Sequence, residues 1–299
     1  MSAPELLADV LIEALPYIQR FQDKIVVVKY GGNAMIDEKL AKMFAQDIVL
    51  MRSVGMRPVV VHGGGPQIGD LLKRLGLKSE FRDGLRVTDA VTLEVARMVL
   101  EGKVNSEIVS AMNIYGPHAI GVSGGAAGLI RAKARDPELG FVGDVTAVNP
   151  RIIEKLLAED LIPVISTIGE DESGQAYNIN ADTVAAAIAE SLRAEKLVYL
   201  TDVDGLLADV NDPSSLIRRA SVSEARNLIT DGTISGGMIP KIEACIASVQ
   251  NGVRSVHMLN GTVPHVLLIE LFTDAGIGTM VTSDANAAMI ARAQSAAQH

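Results

Sequence analysis

Pro58–Val59–Val60–Val61–His62–Gly63–Gly64–Gly65–Pro66–Gln67 is the stretch from which the fold can be read. Three β-branched residues in a row mark a buried strand. Three glycines follow at once. Without a Cβ, their backbone can turn sharply and bring its N–H groups close to an anion. Pro66 suits the first turn of a helix, whose free N–H groups would face back toward that anion. The unit is strand, glycine turn, helix. It suits a phosphate, and it suits equally a tight turn that holds nothing.

Working outward, similar units recur. Ile25–Val26–Val27–Val28 is a buried strand running into Lys29–Tyr30–Gly31–Gly32–Asn33, and a helix over about residues 37–54 returns the chain to Pro58. A lysine there sits where open α/β sheets bind ligands, although most lysines are simply solvated. Gly84–Leu85–Arg86–Val87–Thr88–Asp89 leads into a long helical pattern ending near Met112. Arg86 offers a planar fork for a carboxylate, or is a surface arginine. Strands follow at 119–122 and 162–165, with a hairpin or short strand pair at 140–145 and a helix at 151–159 between them.

Asn178–Ile179–Asn180–Ala181–Asp182 then opens a helix that buries Val184, Ala185, Ile188 and Leu192. Two asparagines and an aspartate exceed what one helix cap needs. The strand Leu197–Leu200 ends in Thr201–Asp202–Val203–Asp204–Gly205. Aspartates there can meet sugar hydroxyls or a Mg²⁺ shell, or form an ordinary turn. Ser235–Gly236–Gly237–Met238–Ile239–Pro240–Lys241 is a second glycine loop entering a helix. A lysine in a first helical turn opposes the helix dipole unless an anion is near.

Alternating strands and helices predict an α/β fold: an open, mainly parallel sheet sandwiched by helices, with the polar clusters converging on one edge. Residues 4–20, with Leu6, Leu7, Val10, Leu11, Leu15 and Ile18 at helical spacing, predict an amphipathic helix that Pro16 kinks or ends near Tyr17. The alanine-rich tail from 284 is expected to be loosely ordered.

Composition narrows the function. A net charge of −9 argues against a broad nucleic-acid surface. No apolar run of about 18 residues is found, so no membrane partner is expected. The lone Cys245 shares an apolar helical face with Ile242, Ile246 and Val249 and cannot form an internal disulfide. Glu5, Asp9 and Glu13 argue against a targeting peptide, so the expected compartment is the cytoplasm.

Two glycine loops with Lys29 and Lys241 suit a polyphosphate, yet neither a P-loop nor G-x-G-x-x-G at 63–69 is present. That leaves phosphoryl transfer without a Walker motif, in which catalysis is positioning plus charge neutralisation. Asp182 is expected between the two lysines, orienting both. A rival reading is an esterase: Gly121–Val122–Ser123–Gly124–Gly125 fits a nucleophile elbow and His62–Gly63–Gly64–Gly65 an oxyanion loop, with Asp202 or Asp204 and His257 or His265 completing a triad. It leaves both lysines and the Asn178–Asp182 cluster unused. A non-catalytic sensor of nucleotide or arginine would not need both lysines.

Taken in order, the Lys29, His62, Gly84, Asn178, Thr201 and Gly237 motifs resemble those of the amino acid kinase family, specifically its acetylglutamate kinases, over about residues 20–283. The resemblance implies ATP-dependent phosphorylation, with Mg²⁺, of the side-chain carboxylate of N-acetyl-L-glutamate in arginine biosynthesis. It implies that Gly64, Gly65, Arg86 and Asn178 bind the amino acid, and that Gly31, Gly32, Asp202, Asp204, Gly237 and Lys241 bind nucleotide. Lys29 and Lys241 would stabilise the transition state, Asp182 would hold them, and no metal ligand is assigned to the protein. Residues 21–192 would form the amino-acid lobe and 193–299 the nucleotide lobe. A glutamate carboxylate is already ionised at pH 7, so no general base is required and His62 only braces its loop. In arginine-inhibited members, a helix like 1–20 links dimers into a hexamer. By the same resemblance Tyr17, His257, Glu270 and Gly276 would hold L-arginine. Glu270 can pair with a guanidinium and Tyr17 can stack on it. One departure is Gly125–Ala126, where many members carry a charged pair.

Overall fold

A computed structural model describes residues 3–209, 211–234, 236, 238–273 and 276–297. The strands are β1 (Ile25–Tyr30), β2 (Arg57–His62), β3 (Phe81–Arg82), β4 (Leu85–Arg86), β5 (Ala119–Ser123), β6 (Ile130–Ala134) and β7 (Gly143–Val148), then β8 (Ile162–Ser166), β9 (Ile168–Glu170), β10 (Ala176–Asn178), β11 (Lys196–Thr201), β12 (Arg219–Ser221), β13 (Ser255–Asn260) and β14 (Thr279–Thr282). The helices are α1 (Ala3–Phe21), α2 (Glu38–Ser53), α3 (Gly65–Arg74), α4 (Ala90–Arg97), α5 (Asn105–Asn113) and α6 (Arg151–Ala158), then α7 (Ala181–Ser191), α8 (Val222–Thr230), α9 (Met238–Gln250), α10 (Val266–Phe272) and α11 (Asp284–Ala297).

Eight strands form the main sheet in the order β12-β14-β13-β11-β1-β2-β8-β5. All neighbours are parallel except β13 and β14. The valine runs of β1 and β2 are buried on both faces, as strands inside a helix-covered parallel sheet must be. Alternation divides them: Val26, Val28 and Val60 pack into one core layer, and Val27, Val59 and Val61 into the other. Strand order reverses around β1, which lies between β2 and β11. This is the switch point where the carboxyl ends of an α/β sheet open a crevice. Tyr30 is in register with His62, and Thr201 with Asn260, so these strand ends share one edge. A smaller sheet, β10-β9-β6-β7, and the β3–β4 hairpin complete the strands.

Local chemistry fixes the boundaries. The Asp37 carboxylate accepts from Lys39 N–H (2.8 Å) and Leu40 N–H (3.0 Å) to start α2, and Pro66 sits in the first turn of α3. Pro16 does not end α1, which runs on to Phe21. The carbonyl that lacks its donor belongs to Ile12, a residue 69% exposed, so water can serve it. The long pattern after Asp89 is α4 and α5 joined by a π-helical stretch, Met98–Val104. The segment 140–145 is not a hairpin: Gly140 turns with φ +68°, and Gly143–Val148 pairs antiparallel with β6. The tail from 284 is helical. Alanine favours that state, and Asp284 anchors its start by accepting from Ser223 N–H (3.1 Å) and Oγ–H (3.0 Å). Among the described residues no helix is long and apolar enough to cross a membrane.

Candidate active site

The carboxyl end of β1 carries Lys29, whose Nζ lies 3.0 Å from Asp182 Oδ1. Asp182 is placed by the start of α7. Asn180 caps that helix through its side chain, accepting from Asp182 N–H (2.9 Å) and Thr183 N–H (3.2 Å). The cap function falls to Asn180 and leaves the Asp182 carboxylate free to meet Lys29. After Lys29 the chain bends through Gly31 and Gly32. A Cβ on Gly32, at φ +69°, would lie 2.8 Å from Asp202 Oδ1, so only glycine fits. Asp202 Oδ1 accepts from Asn33 N–H (2.9 Å), tying the end of β11 to the loop after β1. Asp204 Oδ1 accepts from Asn260 Nδ2 (2.7 Å) at the end of β13.

Beside this cluster is a cavity of 180 Å³ whose lining includes Gly64, Gly65, Arg86, Asn178, Leu100 and Ile179. Arg86 Nη2 donates to Gly65 carbonyl oxygen (2.8 Å), Nη1 donates to Ser79 Oγ, and the guanidinium lies 4.6 Å over the Phe81 ring. Burial lowers the Arg86 pKa from its usual value. Asn178 Nδ2 meets Thr88 Oγ1 at 3.4 Å. All four residues assigned to amino-acid binding from the sequence thus border one space.

Lys241 is exposed in the first turn of α9. It shares surroundings with Asp182, because both act on the buried Cys245 thiol. Burial pushes that thiol up to about 12, Asp182 adds to the rise, and Lys241 opposes it. Among the described residues, however, Asp182 pairs with Lys29 and not with Lys241. Gly237 lies outside the described residues. No group of three His, Cys, Asp or Glu side chains able to hold a metal is found among the described residues.

Ser123 does not face a histidine: its hydroxyl donates to Glu101 Oε1. The esterase triad therefore has no geometry behind it. Gly125, where the chain departs from the family pattern, is overlaid by Glu170, whose Cδ would lie 2.6 Å from a Cβ there.

Tyr17, His257, Glu270 and Gly276 also border one space, a cavity of 410 Å³ between α1 and the β13–β14 side of the sheet. Glu270 is not a solvated charge. Its Oε1 meets His257 Nδ1 at 2.8 Å, and its Oε2 accepts from Ile277 N–H (2.9 Å). His257 Nε2 in turn lies 2.7 Å from Lys196 Nζ. Burial and the neighbouring ammonium hold His257 down at about 4, and burial brings Lys196 to about 8. The imidazole is neutral: Nδ1–H donates to Glu270 and Nε2 accepts from Lys196. Sequence reading starts this strand at Leu197 and passes over Lys196. The one available signal is a lysine abutting an apolar strand. Sequence patterning also passes over Asn105, although asparagine is an unfavourable residue inside a helix and so a sign of a local task.

Residues 24–260 match the model of the "Amino acid kinase family". Acetylglutamate kinase of Methanocaldococcus jannaschii is 50% identical over 289 residues, covering 93% of this chain and 96% of the relative. Acetylglutamate kinase of a Synechococcus species is 54% identical over 277 residues, covering 92% and 97%. A solved structure of N-acetylglutamate synthase from Neisseria gonorrhoeae, complexed with coenzyme A and N-acetyl-glutamate, superposes with a TM-score of 0.81 at 27% identity. That match covers 93% of this chain and 63% of the synthase chain. The chain belongs to the amino acid kinase family and, within it, to the acetylglutamate kinases.

Proposed function

We propose that the chain transfers the γ-phosphoryl group of ATP to the side-chain carboxylate of N-acetyl-L-glutamate, giving N-acetyl-L-glutamyl 5-phosphate and ADP, as a cytoplasmic step of arginine biosynthesis. The observation that carries this reading is the Lys29–Asp182 pair at the switch point, flanked by the Gly64–Arg86–Asn178 cavity and the Gly31–Gly32 bend. The cavity takes the acylated amino acid, with Arg86 on a carboxylate and Asn178 on the amide. Gly31, Gly32, Asp202, Asp204, Gly237 and Lys241 hold the nucleotide. The ionised side-chain carboxylate attacks directly, so no base is needed. Lys29 and Lys241 balance the charge that spreads over the transferring group, and Asp182 fixes the Lys29 ammonium. Mg²⁺ usually keeps several waters and binds through one or two carboxylates plus substrate phosphates. The isolated aspartates here fit that mode, and the ion would supply further neutralisation of phosphate charge. The test is an ATP-dependent assay in hydroxylamine, which captures acyl phosphates, across N-acetylglutamate, glutamate and aspartate. Hydroxamate should form chiefly from N-acetylglutamate; equal yields from glutamate would contradict the reading.

Inhibition by L-arginine and a hexamer built as a trimer of dimers belong to the same proposal. The supporting observations are the 410 Å³ cavity beside Tyr17 and Glu270, and the exposed Val10, Leu11, Ile12 and Leu15 on α1. Arginine would have to favour a less active arrangement by about 1–3 kcal/mol.

A further inference from the structure

His62 ends β2 fully buried, directly before the glycine loop that borders the cavity. Its ring has two partners, and together they fix its proton. Nδ1 lies 2.9 Å from the Gly63 carbonyl oxygen, which can only accept. Nε2 lies 3.0 Å from Asn105 Nδ2. The Asn105 amide cannot be turned round, because the same Nδ2 donates to the Val164 carbonyl (2.9 Å). Nδ2 therefore donates to Nε2, and the ring proton sits on Nδ1. Burial, which holds the ring at about 4, keeps it neutral. Room for Asn105 comes from Gly121 on β5, where any Cβ would collide with the Asn105 side chain.

The consequence falls on Gly64. Gly63 N–H donates to the Tyr30 carbonyl (3.0 Å), while Gly63 C=O is held by the imidazole. In a trans peptide the C=O and the next N–H point in opposite directions. Gly64 N–H is thereby turned away from the buried ring, and it has no acceptor among the described residues. The geometry points to His62 as a positioning residue for phosphoryl transfer: Asn105 locks its Nδ1–H tautomer, and that N–H aims the Gly64 N–H at the carboxylate bound in the cavity. This rests on the function proposed above.

Asparagine can reproduce the Nδ1 donor and glutamine only the Nε2 position, so His62→Asn and His62→Gln separate aiming from filling space. We expect kcat of His62→Asn within about threefold of the parent and that of His62→Gln lower by about 10²-fold, the loss typical of a misplaced group, with KM for ATP unchanged in both. Equal losses, or an undiminished His62→Gln, would overturn the inference. The tautomer can be read without activity, by solid-state ¹⁵N NMR of the full chain labelled in its five histidines, the His62 signals being those lost in His62→Asn. A neutral ring protonated at Nδ1 is expected at pH 7; protonation at Nε2 would overturn the inference. Because that spectrum needs no substrate, failure of the proposed function, seen as no acyl phosphate, remains distinguishable from failure of the positioning claim.

Discussion

The Lys29 ammonium and the Asp182 carboxylate, 3.0 Å apart, join the end of β1 to the first turn of α7. Their side chains are 15% and 40% exposed, so solvent screens the pair and its contribution to stability is small. Its value is orientation: a flexible lysine is held at the sheet edge where the phosphoryl group would pass.

Lys29→Ala and Lys241→Ala should each lower turnover by about 10²–10³-fold, the usual loss for one charge-stabilising donor. Asp182→Asn should cost less, because the ammonium remains but is no longer fixed. Initial-rate kinetics decide: turnover within a few-fold of the parent would remove that lysine from the mechanism.

Arg86→Ala should raise KM for the acylated amino acid by about 10–100-fold, the range for one charged hydrogen bond, and leave KM for ATP nearly unchanged. Arg86→Lys should not rescue it, because a point charge cannot span both Gly65 and Ser79 as the fork does. A selective rise in the ATP constant would reverse the assignment of the two lobes.

The sheet and its bound edge were legible because they are written locally. Valine runs mark strands buried on both faces, glycines and Pro66 mark the turns, and Asn180 marks a helix start. What was illegible is assembled from distant parts. The Lys196–His257–Glu270 chain joins β11, β13 and α10, and none of the three signals its partners in sequence. The π-helical stretch has the same composition as the α-helix around it. The course of α1 past Pro16 depends on solvent reaching a carbonyl. The contact of Asp182 with Lys29 alone depends on where α9 lies, which no motif states.

Acidification should destabilise the fold. Unfolded histidines titrate near 6.5, whereas His62 and His257 are held at about 4 in the fold. As pH falls through that window the unfolded chain takes up two protons that the folded chain refuses, so stability is lost. Asp47 acts in the opposite sense: burial raises it from 3.8 to about 6, so between those values the fold binds its proton first and gains stability. The two histidines outweigh the one aspartate, and Glu270, held against the upward push of burial below its usual value by His257 and the Ile277 N–H, adds to the acid loss, so the fold loses stability between pH 6 and 4. Asp47→Asn should steepen the loss and His257→Gln should flatten it. Urea denaturation over this range is the measurement, and a parent protein that gains stability on acidification would refute the assignment.

Deleting residues 1–20 should leave active dimers that no longer respond to arginine, since Tyr17 borders the 410 Å³ cavity and α1 presents exposed apolar side chains. If the intact chain is a dimer by light scattering and arginine leaves its rate unchanged, both parts of the regulatory proposal fail.

The most direct test of the central claim follows an oxygen atom. N-acetyl-L-glutamate carrying ¹⁸O in its side-chain carboxylate is incubated with the enzyme and ATP, and the product is cleaved with hydroxylamine. Attack at the acyl carbon breaks the C–O bond, so the released phosphate should carry one ¹⁸O taken from the substrate carboxylate. Phosphate free of label, formed by attack of water on ATP, would contradict transfer to the carboxylate.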